Sequence, residues 1–239
     1  MHNTLAIARR ELKTYFNSPI AYIVIGVFLV VAGWLYFSTL FLVGNASLRG
    51  FFGIAPVLFV VFAPAVTMRL LAEERKSGTL ELLMTMPVRD WEIIAGKFAA
   101  ALGMVCIGLL WTLPYPLTVA GLVSEGSKFD WGPVVGGYLG LVLMASSFLS
   151  MGLWASALSR NQIVSFIIGL LLCFGFYFID KFAIVLPESL SQVLEFVSVD
   201  YHFDNIARGV IDTRDVIFYL SLTAVGLILT ARSLATARQ

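Results

Sequence analysis

Residue types that do covalent or metal chemistry are scarce in this sequence of 239 residues. Its two histidines, His2 and His202, lie far apart, so neither a histidine ligand cluster nor a Ser-His nucleophile pair can be read from the spacing. The two cysteines, Cys106 and Cys173, each fall in an apolar stretch, with no CxxC spacing nearby. A thiol in that setting acts as a small hydrophobe. A phosphate-binding loop needs GxxxxGK[ST]. Gly96-Lys97 is followed by Phe98 and lacks the earlier glycine, so that motif is missing. What stands out is a polar segment at residues 73–98, EERKSGTLELLMTMPVRDWEIIAGKF. It carries Glu73, Glu74, Arg75, Lys76, Glu81, Arg89, Asp90, Glu92 and Lys97 in an otherwise greasy chain.

Within this segment Gly78 and Thr79 precede a short run, Leu80 to Met86, that Pro87 ends. The spacing predicts a helix of about two turns, with Glu81 in the first turn where the helix dipole favours an acid. Leu80, Leu83 and Met84 share one face of it. Asp90 is the expected cap of a second helix running through Trp91, Ile93 and Ile94. An apolar stripe among charges fits a piece that docks another protein. It fits equally a helix resting on the membrane surface or on the chain's own helices.

The elements that must position this segment are membrane spans. Hydrophobic residues make up 59% of the chain and charged residues 13%, far from the roughly 45–50% and 25% of a soluble domain. About 20 apolar residues cross a bilayer. Six stretches qualify: Ile20 to Val43, Phe51 to Met68, Ala99 to Val123, Val134 to Leu158, Ile163 to Ile179, and Val216 to Ala231. None contains a charge, which argues against a proton-coupled carrier. A cavity lined by groups such as Phe28, Trp34, Phe59 and Trp111, or a force-transmitting bundle, remains. Pro56, Pro64, Pro114 and Pro116 predict kinks in the second and third spans. Gly136 and Gly140, then Ser146 and Ser150, let backbones approach closely in the fourth, within one chain or between two.

Basic residues set the orientation. Arg9, Arg10, Lys13, Arg69, Arg75, Lys76, Arg89, Lys97, Arg160, Arg232 and Arg238 fall on the side of both termini. Arg49, Lys128, Lys181, Arg208 and Arg214 fall on the other. Both termini and the polar segment are therefore expected in the cytoplasm, with the chain multi-pass in the inner (cytoplasmic) membrane. Residues 1–19 read as an interfacial helix, with Leu5, Ala8, Leu12, Tyr15 and Phe16 on one face. Residues 181–213 read as interfacial helices on the outer side, with Tyr201, His202 and Phe203 at the interface. The net charge of +1 points to no nucleic acid. The fold class is thus all-α: a polytopic membrane protein with six transmembrane helices in one domain over residues 1–239, plus an interfacial helix and a short cytoplasmic helix.

The phrase EERKSGTLELLMTMPVRDWEIIAGKF is similar to the coupling segment of type 2 ABC transporter permeases. RRELKTYFNSPIAY and YHFDNIARGVIDTRDVIFYLS resemble the gliding-motility, GldF-like branch of that family. Many relatives place Ser where Arg89 stands, giving a capping box with Glu92, so here the helix is expected to start a residue later, at Asp90. The resemblance implies a noncatalytic permease subunit, exporter rather than importer. Glu74, Gly78, Thr79, Leu80, Glu81, Leu83 and Pro87 would couple it to a separate ABC ATPase subunit that binds ATP and Mg. A second permease chain and a large auxiliary membrane subunit would complete the assembly. The alternative is a membrane anchor or mechanical transmitter for an extracytoplasmic complex.

Overall fold

A computed structural model describes residues 2–43, 47–79, 88–122, 129–185 and 187–236. Among these every regular element is helical, and six rods are long and apolar enough to cross a membrane. In chain order the helices are α1 (His2–Asn17), α2 (Pro19–Val43), α3 (Arg49–Thr67), α4 (Ala72–Ser77), α5 (Asp90–Leu110), α6 (Pro114–Leu122), α7 (Trp131–Leu158) and α8 (Gln162–Phe178). A 3-10 stretch (Ile179–Val185) leads to α9 (Glu188–Val197), α10 (Val199–Ala207) and α11 (Thr213–Thr236). The rods are α2, α3 with α4, α5 with α6, α7, α8 continued into the 3-10 stretch, and α11.

Two rods take in a buried charged residue ahead of their apolar stretches. The third starts at Asp90 and the sixth at Thr213, so Lys97 and Asp215 sit inside helices, both buried. Helical hydrogen bonding runs on through polar residues because a backbone ladder is indifferent to side-chain charge, provided each buried charge finds a partner. The first turn of α5 shows how its start is fixed. Arg89 has no acceptor and cannot cap the helix with its side chain. Yet its own N–H is accepted by Glu92 Oε2 at 3.1 Å. Arg89 therefore occupies the cap position, and Asp90, expected there, is instead the first helical residue.

Pro114 breaks the third rod between α5 and α6 because it brings no N–H and crowds the preceding turn. The Thr112 carbonyl, whose helical donor would have been the N–H that Pro116 lacks, finds other donors. Tyr138 of α7 donates to Thr112 O at 3.0 Å, and Tyr115 N–H bonds the same carbonyl at 2.9 Å. Pro56 and Pro64 are absorbed inside α3.

Helix α7 is the axis of the bundle. Of its most apolar window 72% is buried, against 22% for α2 and α8. Small residues let its neighbours approach. A Cβ on Gly136 would strike Ile206 O, and one on Gly140 would lie 3.0 Å from the Phe203 ring. The GxxxG therefore packs α10 against α7 within one chain. Gly209, at φ +87°, turns the chain there against Pro133. On another face Ser146 Oγ meets Thr223 Oγ1 at 3.0 Å, and Ser147 Oγ donates to Tyr219 O at 3.1 Å, tying α7 to α11. Phe203 and His202, expected at the interface, are buried by this packing, while Tyr201 stays exposed.

Candidate functional site

The polar segment leaves the bundle from α4 and returns through α5, and a charge-lined cavity of about 300 Å³ sits beside these two helices. Three elements converge on it. Helix α1 lies across α5 at Gly96, where an added Cβ would be 2.7 Å from Ile7 Cγ2 and 3.0 Å from Thr4 O. Only a residue without a side chain permits that crossing. It brings Glu11, an acid on the otherwise apolar face of α1, within reach of α5.

Lys97 joins the three. Its Nζ lies 3.2 Å from Glu11 Oε1 and 2.7 Å from Glu74 Oε1, and the side chain is 1% exposed. An ammonium cannot stay charged in such a place without carboxylate partners. Burial would raise the Glu11 carboxyl, but Lys97 and then Arg10 outweigh it and hold the group below its ordinary value. Arg10 contributes from 3.0 Å. Arg69 Nε pairs with Glu73 Oε2 at 3.1 Å one turn along. Tyr15 donates to Val66 O at 2.7 Å and so fastens α1 to α3 as well. Burial, with Glu11 beside it, pushes this phenol up, so it remains a donor.

Helix α4 is fixed from the axis. Ser156 Oγ of α7 accepts from Leu71 N and Ala72 N, each at 3.1 Å, and donates to Met68 O at 3.0 Å. One hydroxyl thus satisfies three backbone groups at the turn joining α3 to α4. Gly78 closes α4 at φ 72°, the left-handed conformation in which glycine carries no Cβ penalty. Thr79 Oγ1 meets Ser77 Oγ at 2.8 Å. At the same end Arg75 reaches towards Ser233 O of α11 at 3.5 Å, so α1, α4, the start of α5 and the end of α11 share one end of the bundle.

Of the residues singled out in the sequence, Glu74, Gly78 and Thr79 therefore line the exit of the polar segment. Leu80, Glu81, Leu83 and Pro87, with the short helix expected over Leu80 to Met86, lie outside the described residues. Glu11, Lys97, Tyr15 and Ser156 did not emerge as site residues from the sequence. The one available signal was an acid on the apolar face of α1. Phe28 and Phe59 do come together, stacked at 5.6 Å, but Trp34 and Trp111 are exposed and do not join them.

At the opposite end His202 is held on both sides. Nε2 lies 3.0 Å from Phe196 O, which can only accept, so this nitrogen carries a hydrogen. Nδ1 lies 2.6 Å from Asp215 Oδ1, and that contact needs a proton between the two atoms. Both ring nitrogens are thereby committed, and the pair joins α10 to α11 instead of offering a base to a substrate. The charged groups around Lys97 are likewise committed to one another. What the Lys97 cluster can do is mechanical: hold α1, α4 and α5 as one joint where the polar segment leaves and returns.

In comparison with known families, residues 5–235 match the family described as "ABC-2 family transporter protein". No curated protein matches the sequence.

Proposed function

We propose, since this chain belongs to the ABC-2 family of transporter proteins, that it is a membrane permease subunit through which a separate ABC ATPase drives movement of the helix bundle. Membership makes the chain a membrane permease subunit. The coupling of ATP hydrolysis to its movement, the export direction and the cytoplasmic inner-membrane location of both termini are our reading. The observation that carries it is the Lys97 joint. A segment docked to a moving ATPase needs both of its roots anchored, or its motion dissipates in the loop. Glu74 at the outgoing root and Lys97 on the returning helix are bonded to each other at 2.7 Å and, through Glu11, to α1.

In this reading Leu83 enters an apolar site on the ATPase, and Glu81 meets a basic group there. ATP and Mg are held by that partner. Leu83→Asp puts a charge into an apolar contact and should cut ATPase retention by at least tenfold. Glu81→Gln and Glu81→Lys should lower ATP hydrolysis progressively. Retention and hydrolysis are measured on purified complexes in lipid. Wild-type values for both Leu83→Asp and Glu81→Lys would refute the assignment.

ATP is sandwiched between two ATPase subunits in such systems, so we place two permease chains in the assembly, the second being a copy or close relative. Native mass spectrometry should find two, and one permease with one ATPase would contradict this. Resemblance of the terminal stretches to the gliding-motility branch adds a large auxiliary membrane subunit to the proposal.

A further inference from the structure

The end of the bundle away from Lys97 carries a second depression, of about 470 Å³, between the start of α3 and the end of α10. Its apolar lining comes from Phe52, Phe203 and Ala207, and its charged lining from Arg49, Arg208 and Asp204. Phe203 is fixed against Gly140 of α7, so this wall is part of the packed core. Gly53, also in the lining, leaves open space where a side chain would stand.

The charges here are distributed unlike those of the Lys97 joint. Among the described residues neither Arg49 nor Arg208 has a carboxylate within ion-pairing distance. The acids close by are already engaged: Asp180 and Asp200 hold Lys181 at 2.8 and 2.7 Å, and Asp215 holds His202. Among the described residues Asp204 is the one carboxyl in the lining, so these residues give the depression an excess of one positive charge. Arg49 is also the first residue of a membrane-crossing rod. That places the guanidinium where hydrocarbon gives way to headgroups.

We propose that this depression binds the phosphate of an anionic phospholipid, gripped between Arg49 and Arg208 with the glycerol and upper acyl carbons in the open space over Gly53 and Ala207. A planar guanidinium presents paired donors that match phosphate oxygens, which a solvated lysine patch does not. The uncharged opening at Gly53 and Ala207 beside the arginines gives an amphiphile room that a bare anion does not need. Asp204 opposes the phosphate and keeps the affinity modest.

The test uses the full chain in nanodiscs of phosphatidylcholine with a minor share of phosphatidylglycerol, released into native mass spectrometry to count retained phosphatidylglycerol. Wild type should retain it over phosphatidylcholine. Arg49→Gln with Arg208→Gln should lower retention about tenfold, as expected for loss of charge-assisted bonds. Asp204→Asn should raise it. Arg214→Gln, which alters an exposed arginine at the same end but outside the lining, should leave it unchanged. Equal retention by the double variant, an equal loss in Arg214→Gln, or no retention by wild type would overturn the site. Inorganic phosphate at millimolar concentration is then added to the detergent-purified chain. Failure to displace the lipid supports a headgroup site. Displacement assigns the arginines to a soluble phosphate and overturns the lipid assignment.

Discussion

Lys97 ties three helices together through two carboxylates. Removing it leaves Glu74 without its cation and Glu11 with Arg10 alone, and among the described residues one oxygen of Glu74 already has no partner. Breaking a buried pair by deleting one member costs about 3–5 kcal/mol. Lys97→Met should therefore lower the unfolding midpoint in detergent markedly. Adding Glu11→Gln and Glu74→Gln should recover much of the loss, because the uncompensated charges are gone. An unchanged midpoint for Lys97→Met would contradict the joint. The pH dependence has a defined sign. Glu11 titrates below its ordinary value of 4.5 in the fold, so its contribution is complete above that value. It fades as the pH falls through the lower folded value. Glu74 was singled out in the sequence as a coupling residue because it lies in the polar segment itself, not as a partner of Lys97. The bond from Lys97 to Glu11 was not, since the two are 86 positions apart and meet only because Gly96 lets α1 cross α5.

At the scale of elements the six rods could be read directly, because the length of an apolar run is a local property. The start of the last could not, because Thr213 begins it in polar sequence, where burial of Asp215 decides the boundary. The helix at Asp90 was read, with its cap one residue off, at Asp90 instead of Arg89. The stretch at residues 181–213 was legible as helices but not in its packing. Tyr201, His202 and Phe203 suit an interface by type, yet the turn at Gly209 and the small residues of α7 draw the second and third of them inward. GxxxG announces a close approach without naming the partner. A consequence distinguishes this contact from chance spacing. Gly136→Ala must push its Cβ into Ile206 O and should cost about 1–3 kcal/mol. Gly175→Ala in α8 meets nothing within 4 Å and should be neutral or slightly stabilising. Thermal midpoints of the two variants compare them directly, and equal losses would contradict the packing of α10 on α7.

For the whole molecule, the division of labour follows from where charge is spent. One end of the bundle joins α1, α4 and α5 through Lys97, and the other joins α10 and α11 through His202 and Asp215. Between them α7 connects both, through Ser156 at α4 and through Gly136 and Gly140 at α10. A push at the first joint thus has a packed route to the far end. The central claim is that the push comes from an ATPase bound to the segment between α4 and α5. Its most direct test is a photo-crosslinking side chain placed at Leu83 in the assembled, membrane-embedded complex, with the same group at Ser191 on the opposite end. The account predicts an ATPase adduct from position 83, strengthened or weakened by ATP, and none from position 191. An intact complex that yields the ATPase adduct from position 191, or none from position 83, would contradict it.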